Sequence, residues 1–175
     1  RGAFSRGEAD NGQLLEALSE VGARNIMIRS TCNRTEVYWS GLDQEEVAGI
    51  VRTHMAVSEA SWWNTKHYAA GMDDVVHLFR VGCALESQIP GDTEIAGQLK
   101  MALRLSTAHG GEVAWLDRVV SLVLQASTRV TSATGLSWGA TSVAFGAGPC
   151  MRHRVANVTG EERVVCGRVT LGGHT

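Results

Sequence analysis

Several features that define whole classes of protein are missing from this chain of 175 residues. No apolar stretch approaches the roughly 18 residues of a membrane span, and no signal peptide opens the sequence. The 4 cysteines show no close pairing, which argues against a disulfide framework and favours a reducing compartment. A formal net charge of −2 argues against a dominant, sequence-blind grip on nucleic acid. We therefore expect a cytoplasmic protein without a membrane anchor.

A glycine-rich dinucleotide-binding fingerprint is also missing. Gly146-Ala147-Gly148 is the nearest match, but it follows no run of strands and opens no helix. The chain has no internal repeat and no low-complexity segment. It begins at Arg1 rather than at methionine, so we expect its natural start to be absent.

The composition, 44% hydrophobic and 19% charged, is typical of a globular domain with a core. Apolar periodicity predicts strands over 25–29, 35–40 and 62–69, and helices over 8–21, 43–55, 73–85, 93–109 and 112–129. Strands mixed with helices come first and a helix-rich stretch follows, which indicates the α+β class. We expect a ferredoxin-like mixed αβ subdomain, then a helix-rich section, and no complete Rossmann domain. After Phe145 no period is sustained, and Val169 supports a short strand at most.

Cys32 lies in a polar turn within the run Ser30-Thr31-Cys32-Asn33-Arg34-Thr35-Glu36-Val37-Tyr38. A thiol between two apolar runs is reachable by a substrate, and a guanidinium two residues later favours the thiolate. A thiolate is a strong nucleophile toward esters. The alternative is a small apolar residue at the end of a strand.

His77 lies on the predicted helix 73–85, where its near-neutral pKa would suit a general acid or a polarising donor. An ordinary core or surface histidine is the alternative. The segment 85–100 is rich in small and hydrogen-bonding groups, with Asp92 or Thr93 able to cap a helix. It predicts either a polar wall that binds a small charged substrate or simply a capped helix start.

Other polar or cysteine-containing groups carry weaker predictions. The Asp73-Asp74 and Glu45-Glu46 pairs are typical of solvated faces. Four tail residues are spaced superficially like zinc ligands, but the tail lacks the apolar residues of a zinc finger, and we expect no metal; they are Cys150, His153, Cys166 and His174.

Three segments together resemble the N-terminal catalytic domain of glutamyl-tRNA reductase, the first enzyme of the five-carbon route to tetrapyrroles. They are STCNRTEVY (30–38), HLFRV…LESQIPGDTEIAGQLK (77–100) and TGLSWGATSVAF (134–145). Their order and spacing also fit the family. The resemblance covers residues 1–145, and the first segment is its most specific part. Residues 146–175 resemble no part of the family and are interpreted as an irregular tail.

The resemblance implies a set of functional residues. Cys32 would attack the aminoacyl ester of glutamyl-tRNA, and NADPH would reduce the thioester to glutamate-1-semialdehyde. His77 matches a histidine important for activity. Arg34 is a sensible partner for the glutamate carboxylate. The substrate-binding positions of the family correspond to Thr31, Asn33, Arg34, Ser87, Asp92, Thr93, Glu94 and Gln98.

The family also implies partners and further domains, and this chain differs from the family at several points. It continues into an NADPH-binding Rossmann domain and a dimerising helical domain, so we expect a homodimeric parent enzyme, with glutamate-1-semialdehyde aminomutase as a partner. The family's first strand is absent before Arg1. Asp92 and Glu94 stand where the family more commonly has Glu and Gln. Two alternatives remain open: a non-catalytic fragment that binds glutamyl-tRNA, and a cysteine hydrolase that uses Cys32 and His77.

Overall fold

The computed structural model describes residues 7–31, 34–56, 62, 71–87, 91–134 and 168–172. Within these ranges the chain forms helices and strands in a mixed order. The elements are α1 (Glu8–Glu20), β1 (Arg24–Ser30), β2 (Arg34–Ser40), α2 (Gln44–Met55), α3 (Met72–Gly82), α4 (Glu94–Ala108), α5 (Ala114–Thr134) and β3 (Arg168–Gly172). The predicted α+β class is confirmed, and the described ranges contain no complete Rossmann domain.

Strands β1 and β2 form an antiparallel hairpin around the cysteine turn. Its register pairs Met27 with Tyr38 and Arg29 with Glu36. Because successive side chains of a strand point to opposite faces, these four side chains share one face of the sheet. The register therefore places two buried charges directly opposite each other.

Strand β3 completes a sheet with the order β1-β2-β3. It pairs antiparallel to β2, with Val169 opposite Val37 and Gly172 opposite Arg34. The weak signal at Val169 thus corresponds to a real strand of five residues. Its position makes β2 the central strand, so that the second arm of the cysteine turn has a neighbour on both sides.

Two apolar clusters lie on opposite faces of the sheet. The α1–α2 cluster contains Leu18 and Val51 from the helices with Val37 and Trp39 from β2. The α3–α5 cluster lies on the other face, where Leu99 and other helical residues pack against Met27 and Tyr38. The face that carries Arg29 and Glu36 is therefore the one covered by α3, α4 and α5.

Local capping explains the start of α2 and the end of α3. The Oδ1 of Asp43 accepts a hydrogen bond from the backbone N–H of Glu46 at 3.1 Å, so Asp43 is the N-cap of α2. Helix α3 is shorter than predicted and ends at Gly82, because Cys83 is its C-cap and Ala84 has a φ of 59°. Val76, an apolar residue of this helix, is 49% exposed.

The remaining predictions concern the last helix and two stretches that are largely outside the described ranges. Helix α5 continues to Thr134, beyond the predicted end at Arg129. The predicted strand 62–69 lies outside those ranges except for Trp62, which is helical and buried. Residues 146–167 of the tail lie outside them as well. None of the described helices is long and apolar enough to cross a membrane.

Candidate active site

The cysteine turn is closed by hydrogen bonds between its two flanking residues. The backbone N–H of Thr31 donates to the carbonyl of Arg34 at 2.9 Å. The Thr31 Oγ1 donates to the same carbonyl at 3.0 Å and accepts from the Arg34 N–H at 3.1 Å. Cys32 and Asn33, which these bonds enclose, lie outside the described residues. The ends of the turn are thus fixed on the sheet.

Glu36 is the centre of a buried charged group, which we call the Glu36 cluster: Glu36, Arg29, Arg34 and His77. The Nη1 of Arg29 donates to Oε2 of Glu36 at 2.7 Å. Oε1 of the same carboxylate lies 3.1 Å from Nε of Arg34 and 3.2 Å from Nε2 of His77. Glu36 is 0% exposed, and Arg29 and His77 are also buried. One carboxylate therefore joins β1, β2 and α3.

The charge state of Glu36 follows from its surroundings. Burial by itself raises the pKa of this carboxyl, but the guanidiniums of Arg29 and Arg34 and the hydrogen bond from His77 together hold the pKa well below its usual range. An ionised carboxylate only accepts hydrogen bonds. Nε2 of His77 must therefore carry the hydrogen of this contact.

Arg34 is held from a second direction by the loop after α3. Its Nη1 donates to the backbone carbonyl of Glu86 at 2.6 Å. The side chain of Glu86 in turn accepts from Nε of Arg80 at 2.7 Å. The guanidinium of Arg34 is therefore oriented by a carboxylate and a carbonyl, and the segment that begins at Leu85 is brought to the cysteine turn.

Gln98 reaches the same cluster from α4. Its Oε1 accepts from Nη2 of Arg29 at 2.8 Å, across 69 positions of sequence. Arg29 thus connects Glu36 with Gln98. Of the residues predicted to form the site, Arg34, His77 and Gln98 are brought together in this way.

The other predicted substrate-binding positions lie at the start of α4. Oδ1 of Asp92 accepts from the backbone N–H of Glu94 at 2.9 Å, so Asp92 supports the helix start. Thr93 is the N-cap residue without a side-chain capping bond. Thr93 and Glu94 are exposed, and Ser87 is half-buried. The structure therefore gives Asp92 a capping role, and within the described residues it is connected to the Glu36 cluster through α4 and Gln98.

Sequence reasoning missed two central residues, Arg29 and Glu36. Glu36 belongs to the cysteine run but was given no role, and Arg29 was interpreted as the end of a strand. A signal was present: both are charged residues in apolar strands, at positions facing the same side as Met27 and Tyr38. Their pairing depends on the hairpin register, which the sequence does not show directly.

Cys83, the cysteine that lies within the described residues, provides a contrast to the cysteine turn. Cys83 is buried at the end of α3, and burial raises the pKa of its thiol. A thiol in that environment is a poor nucleophile at neutral pH. Within the described ranges, no group of three or more acidic, histidine or cysteine side chains is placed to hold a metal. The four tail residues with zinc-like spacing lie outside those ranges.

An open cleft of about 720 Å³ lies on the same face of the sheet, at the end away from the cysteine turn. Asn25 and Ser40 form its strand side, and Trp115 of α5 lines it from the helical side. Tyr38 separates this cleft from Glu36 along β2, so the two are distinct places.

Sequence comparison finds known proteins similar to this chain. A family model described as "Glutamyl-tRNAGlu reductase, N-terminal domain" matches residues 1–134. The chain is 34% identical over 175 residues to glutamyl-tRNA reductase of Christiangramia forsetii, an alignment that covers 100% of this chain and 42% of the relative. It is 35% identical over 176 residues to glutamyl-tRNA reductase 2 of Flavobacterium johnsoniae, covering 100% of this chain and 40% of that relative.

A more distant relative shows a shorter match. Glutamyl-tRNA reductase of Thermus thermophilus is 33% identical over 136 residues, which is 75% of this chain and 32% of the relative. No solved structure matches the chain. The chain therefore spans roughly two fifths of the length of the relatives that align with all of it, which have 42% and 40% of their length covered.

Proposed function

Because the chain belongs to the family of glutamyl-tRNA reductase N-terminal domains, we propose that it carries out the acyl-transfer half of the NADPH-dependent reduction of glutamyl-tRNA. The full reaction yields glutamate-1-semialdehyde for tetrapyrrole biosynthesis. The observation that supports this most is the cysteine turn itself. Its two ends are fixed by Thr31 and Arg34, and Arg34 is anchored on a buried, ionised carboxylate that also holds His77.

The proposed step is a transfer of the glutamyl group to sulfur. The Cys32 thiolate attacks the ester carbonyl carbon of glutamyl-tRNA, a C–S bond forms, and the C–O bond to the terminal ribose breaks. The leaving oxygen takes a proton, and tRNA is released. The products are a Cys32 thioester and free tRNA, with no change in oxidation state.

The charges of the Glu36 cluster favour an anionic substrate group. Two guanidiniums, of Arg29 and Arg34, face one carboxylate, that of Glu36. The two arginines and the one carboxylate together leave an excess of one positive charge. Only 16% of the Arg34 side chain is exposed. A carboxylate of the glutamyl group would balance this charge, and Arg34 is the residue we propose to bind it.

His77 is proposed to act on the leaving group. Its contact with Glu36 through Nε2 orients the ring. We propose that His77, held in this way, serves the leaving ribose oxygen as general acid–base catalyst.

The described residues do not fit an NADPH site. The turn from β2 into α2 is a strand-to-helix connection, but it has the sequence Ser40-Gly41-Leu42-Asp43 rather than a glycine-rich loop. Its helix begins with Asp43, Glu45 and Glu46, whose negative charges would repel a pyrophosphate. We therefore assign no hydride-transfer step to these residues.

The wider context of the proposal follows from the family. We propose that residues 1–145 form the catalytic unit and that 146–175 lie outside it, apart from the sheet strand β3. The whole protein is proposed to use glutamyl-tRNA in the cytoplasm, to bind NADPH, to form a homodimer and to pass its product to glutamate-1-semialdehyde aminomutase.

The test is a search for the covalent intermediate. Incubation with glutamyl-tRNA should add one glutamyl mass, which peptide mass spectrometry should locate on Cys32. Cys32→Ala should abolish this thioester, whereas Cys83→Ala should retain it, because Cys83 is buried and burial raises the pKa of its thiol.

The rival functions give different results in the same assay. A folded chain that binds glutamyl-tRNA equally well with and without Cys32, and forms no adduct, would be a non-catalytic binding fragment. Hydrolysis of simple esters without preference for a glutamyl group would indicate a cysteine hydrolase. Either result would contradict the proposed function.

A further inference from the structure

Arg29 contacts two residues of the site while itself lying outside the cysteine turn. We propose that Arg29 is a positioning residue that makes Gln98 a pure hydrogen-bond donor toward the substrate, and thereby selects a glutamyl over a glutaminyl group. This inference rests on the proposed function. It concerns how the substrate side chain is recognised, and it adds a residue that the cysteine run does not contain.

The first step is the orientation of the Gln98 amide. A guanidinium has five N–H donors and no acceptor. The Gln98 atom that faces Nη2 of Arg29 at 2.8 Å must therefore be Oε1. The two hydrogens of Nε2 are then the groups that Gln98 can offer to a ligand. If Gln98 had no arginine neighbour, its amide could rotate and offer either oxygen or nitrogen.

The second step is the rigidity of Arg29. The residue is 4% exposed, and its other nitrogen, Nη1, donates to Glu36 at 2.7 Å. One planar group thus bridges a strand carboxylate and a helix amide. Its Nε is buried without a hydrogen-bond partner among the described residues, so the guanidinium is not oriented by any further acceptor there. The contacts with Glu36 and Gln98 define its plane.

The third step is the consequence for substrate choice. Donor hydrogens from Gln98, together with the excess positive charge of the Glu36 cluster, complement a carboxylate. A carboxamide in the same position brings an NH₂ group that faces the donor hydrogens of Gln98. A buried polar group left unpaired is disfavoured more strongly than one merely lacking a contact. Arg29 and Gln98 together should therefore discriminate between the two side chains.

Binding is measured with non-reactive analogues, in which glutamate or glutamine is joined to 3′-amino-adenosine through an amide. Both are titrated against the full chain by calorimetry. The wild-type chain should bind the glutamyl analogue more tightly. Arg29→Met should weaken that binding at least about tenfold, since hydrogen bonds to charged groups contribute that much, and should reduce the preference over the glutaminyl analogue.

Three further variants separate positioning from general folding. Gln98→Glu gives Arg29 a carboxylate partner and so preserves the buried contact, but it replaces donors by acceptors. It should lose the glutamyl analogue and retain a thermal transition like that of the wild type. Arg29→Lys should recover part of the binding. Arg104→Met, on the exposed side of the same helix, should change nothing.

Distinct results overturn the inference and the function on which it rests. Unchanged glutamyl binding or unchanged preference in Gln98→Glu overturns the inference, even if Arg29→Met does not fold. Unchanged binding in a folded Arg29→Met chain does the same. A wild-type chain that prefers the glutamyl analogue but forms no Cys32 adduct leaves the recognition intact and overturns the proposed acyl transfer.

Discussion

At the scale of single residues, Glu36 determines how the charged cluster depends on pH. Its pKa in the folded chain is held well below the usual range against the effect of burial. The unfolded chain therefore binds more protons than the folded one at acidic pH. The stabilisation from Glu36 is fully present above about pH 4.3, the ordinary glutamate pKa, and is lost as the pH falls toward the lowered value.

Glu36→Gln should expose this dependence. Without its charge, Arg29 and Arg34 lack a counter-ion in buried surroundings, and the free energy of unfolding near neutral pH should fall by about 3 to 5 kcal/mol. The difference between the variant and the wild type should shrink in acid. Urea unfolding across the acidic range measures it.

A matched control is Glu20→Gln, at the exposed end of α1. It should leave the free energy of unfolding nearly unchanged at every pH. A Glu36→Gln chain that differs from the wild type by the same amount in acid as at neutral pH would contradict the assigned charge state.

The residues of the site differ in how visible they are from sequence. The resemblance to the family predicts a common site for Cys32, His77 and Gln98, and contacts within the described ranges join His77 and Gln98 to Arg34 through Glu36 and Arg29. Arg29 was missed because its partners lie 7 and 69 positions away. Only the hairpin register and the docking of α4 bring them together.

At the scale of secondary-structure elements, the packing of α3 on α5 depends on one glycine. A Cβ on Gly82 would overlap Cγ1 of Val123 and lie 3.5 Å from Cδ1 of Leu99. Gly82→Ala should therefore push α3 away and lower the free energy of unfolding by about 1 to 3 kcal/mol. Because α3 also carries His77, formation of the Cys32 adduct should slow as well.

Gly49→Ala provides the comparison within α2. A Cβ there would meet no described atom within 4 Å. The substitution should raise the free energy of unfolding by about 0.5 to 1 kcal/mol, because alanine loses less backbone freedom than glycine on folding. Thermal unfolding of both variants tests the pair, and equal effects of the same sign would refute the close packing at Gly82.

Elements with strong periodicity were predictable and irregular ones were not. The helices with clear apolar spacing, α1 and α4, begin and end within a residue or two of expectation. The predicted end of α3 was wrong because the apolar spacing of the sequence continues through Cys83 and Leu85, whereas the backbone turns at Ala84. The sequence of β3 predicts a strand only weakly, because the stability of β3 depends on its pairing with the edge of β2.

At the scale of the whole molecule, one sheet supports two cores. Leu18 in the α1–α2 cluster and Leu99 in the α3–α5 cluster are each 0% exposed. Because β1 and β2 contribute side chains to both clusters, neither core can lose its strands while the other remains intact. We therefore expect a single cooperative unfolding transition.

Leu18→Ala and Leu99→Ala test this coupling from opposite faces. Each should lower the free energy of unfolding by about 2 to 5 kcal/mol, through lost contacts and the cavity that remains. Far-UV circular dichroism and tryptophan fluorescence should report the same midpoint in each variant. Separate midpoints for the two probes would show that the faces unfold independently.

The position of β3 has a consequence for circular permutation of the chain. Both β1 and β3 are antiparallel to β2, so they are parallel to each other with β2 between them. Only residues 21–23 join α1 to β1, so the end of α1 lies near the start of β1. The start of α1 then lies at the other end of the sheet, where β3 finishes beside Arg34. A circular permutant that joined residue 175 to residue 1 would thus read as a β-α-β unit followed by β2, with every strand pairing retained.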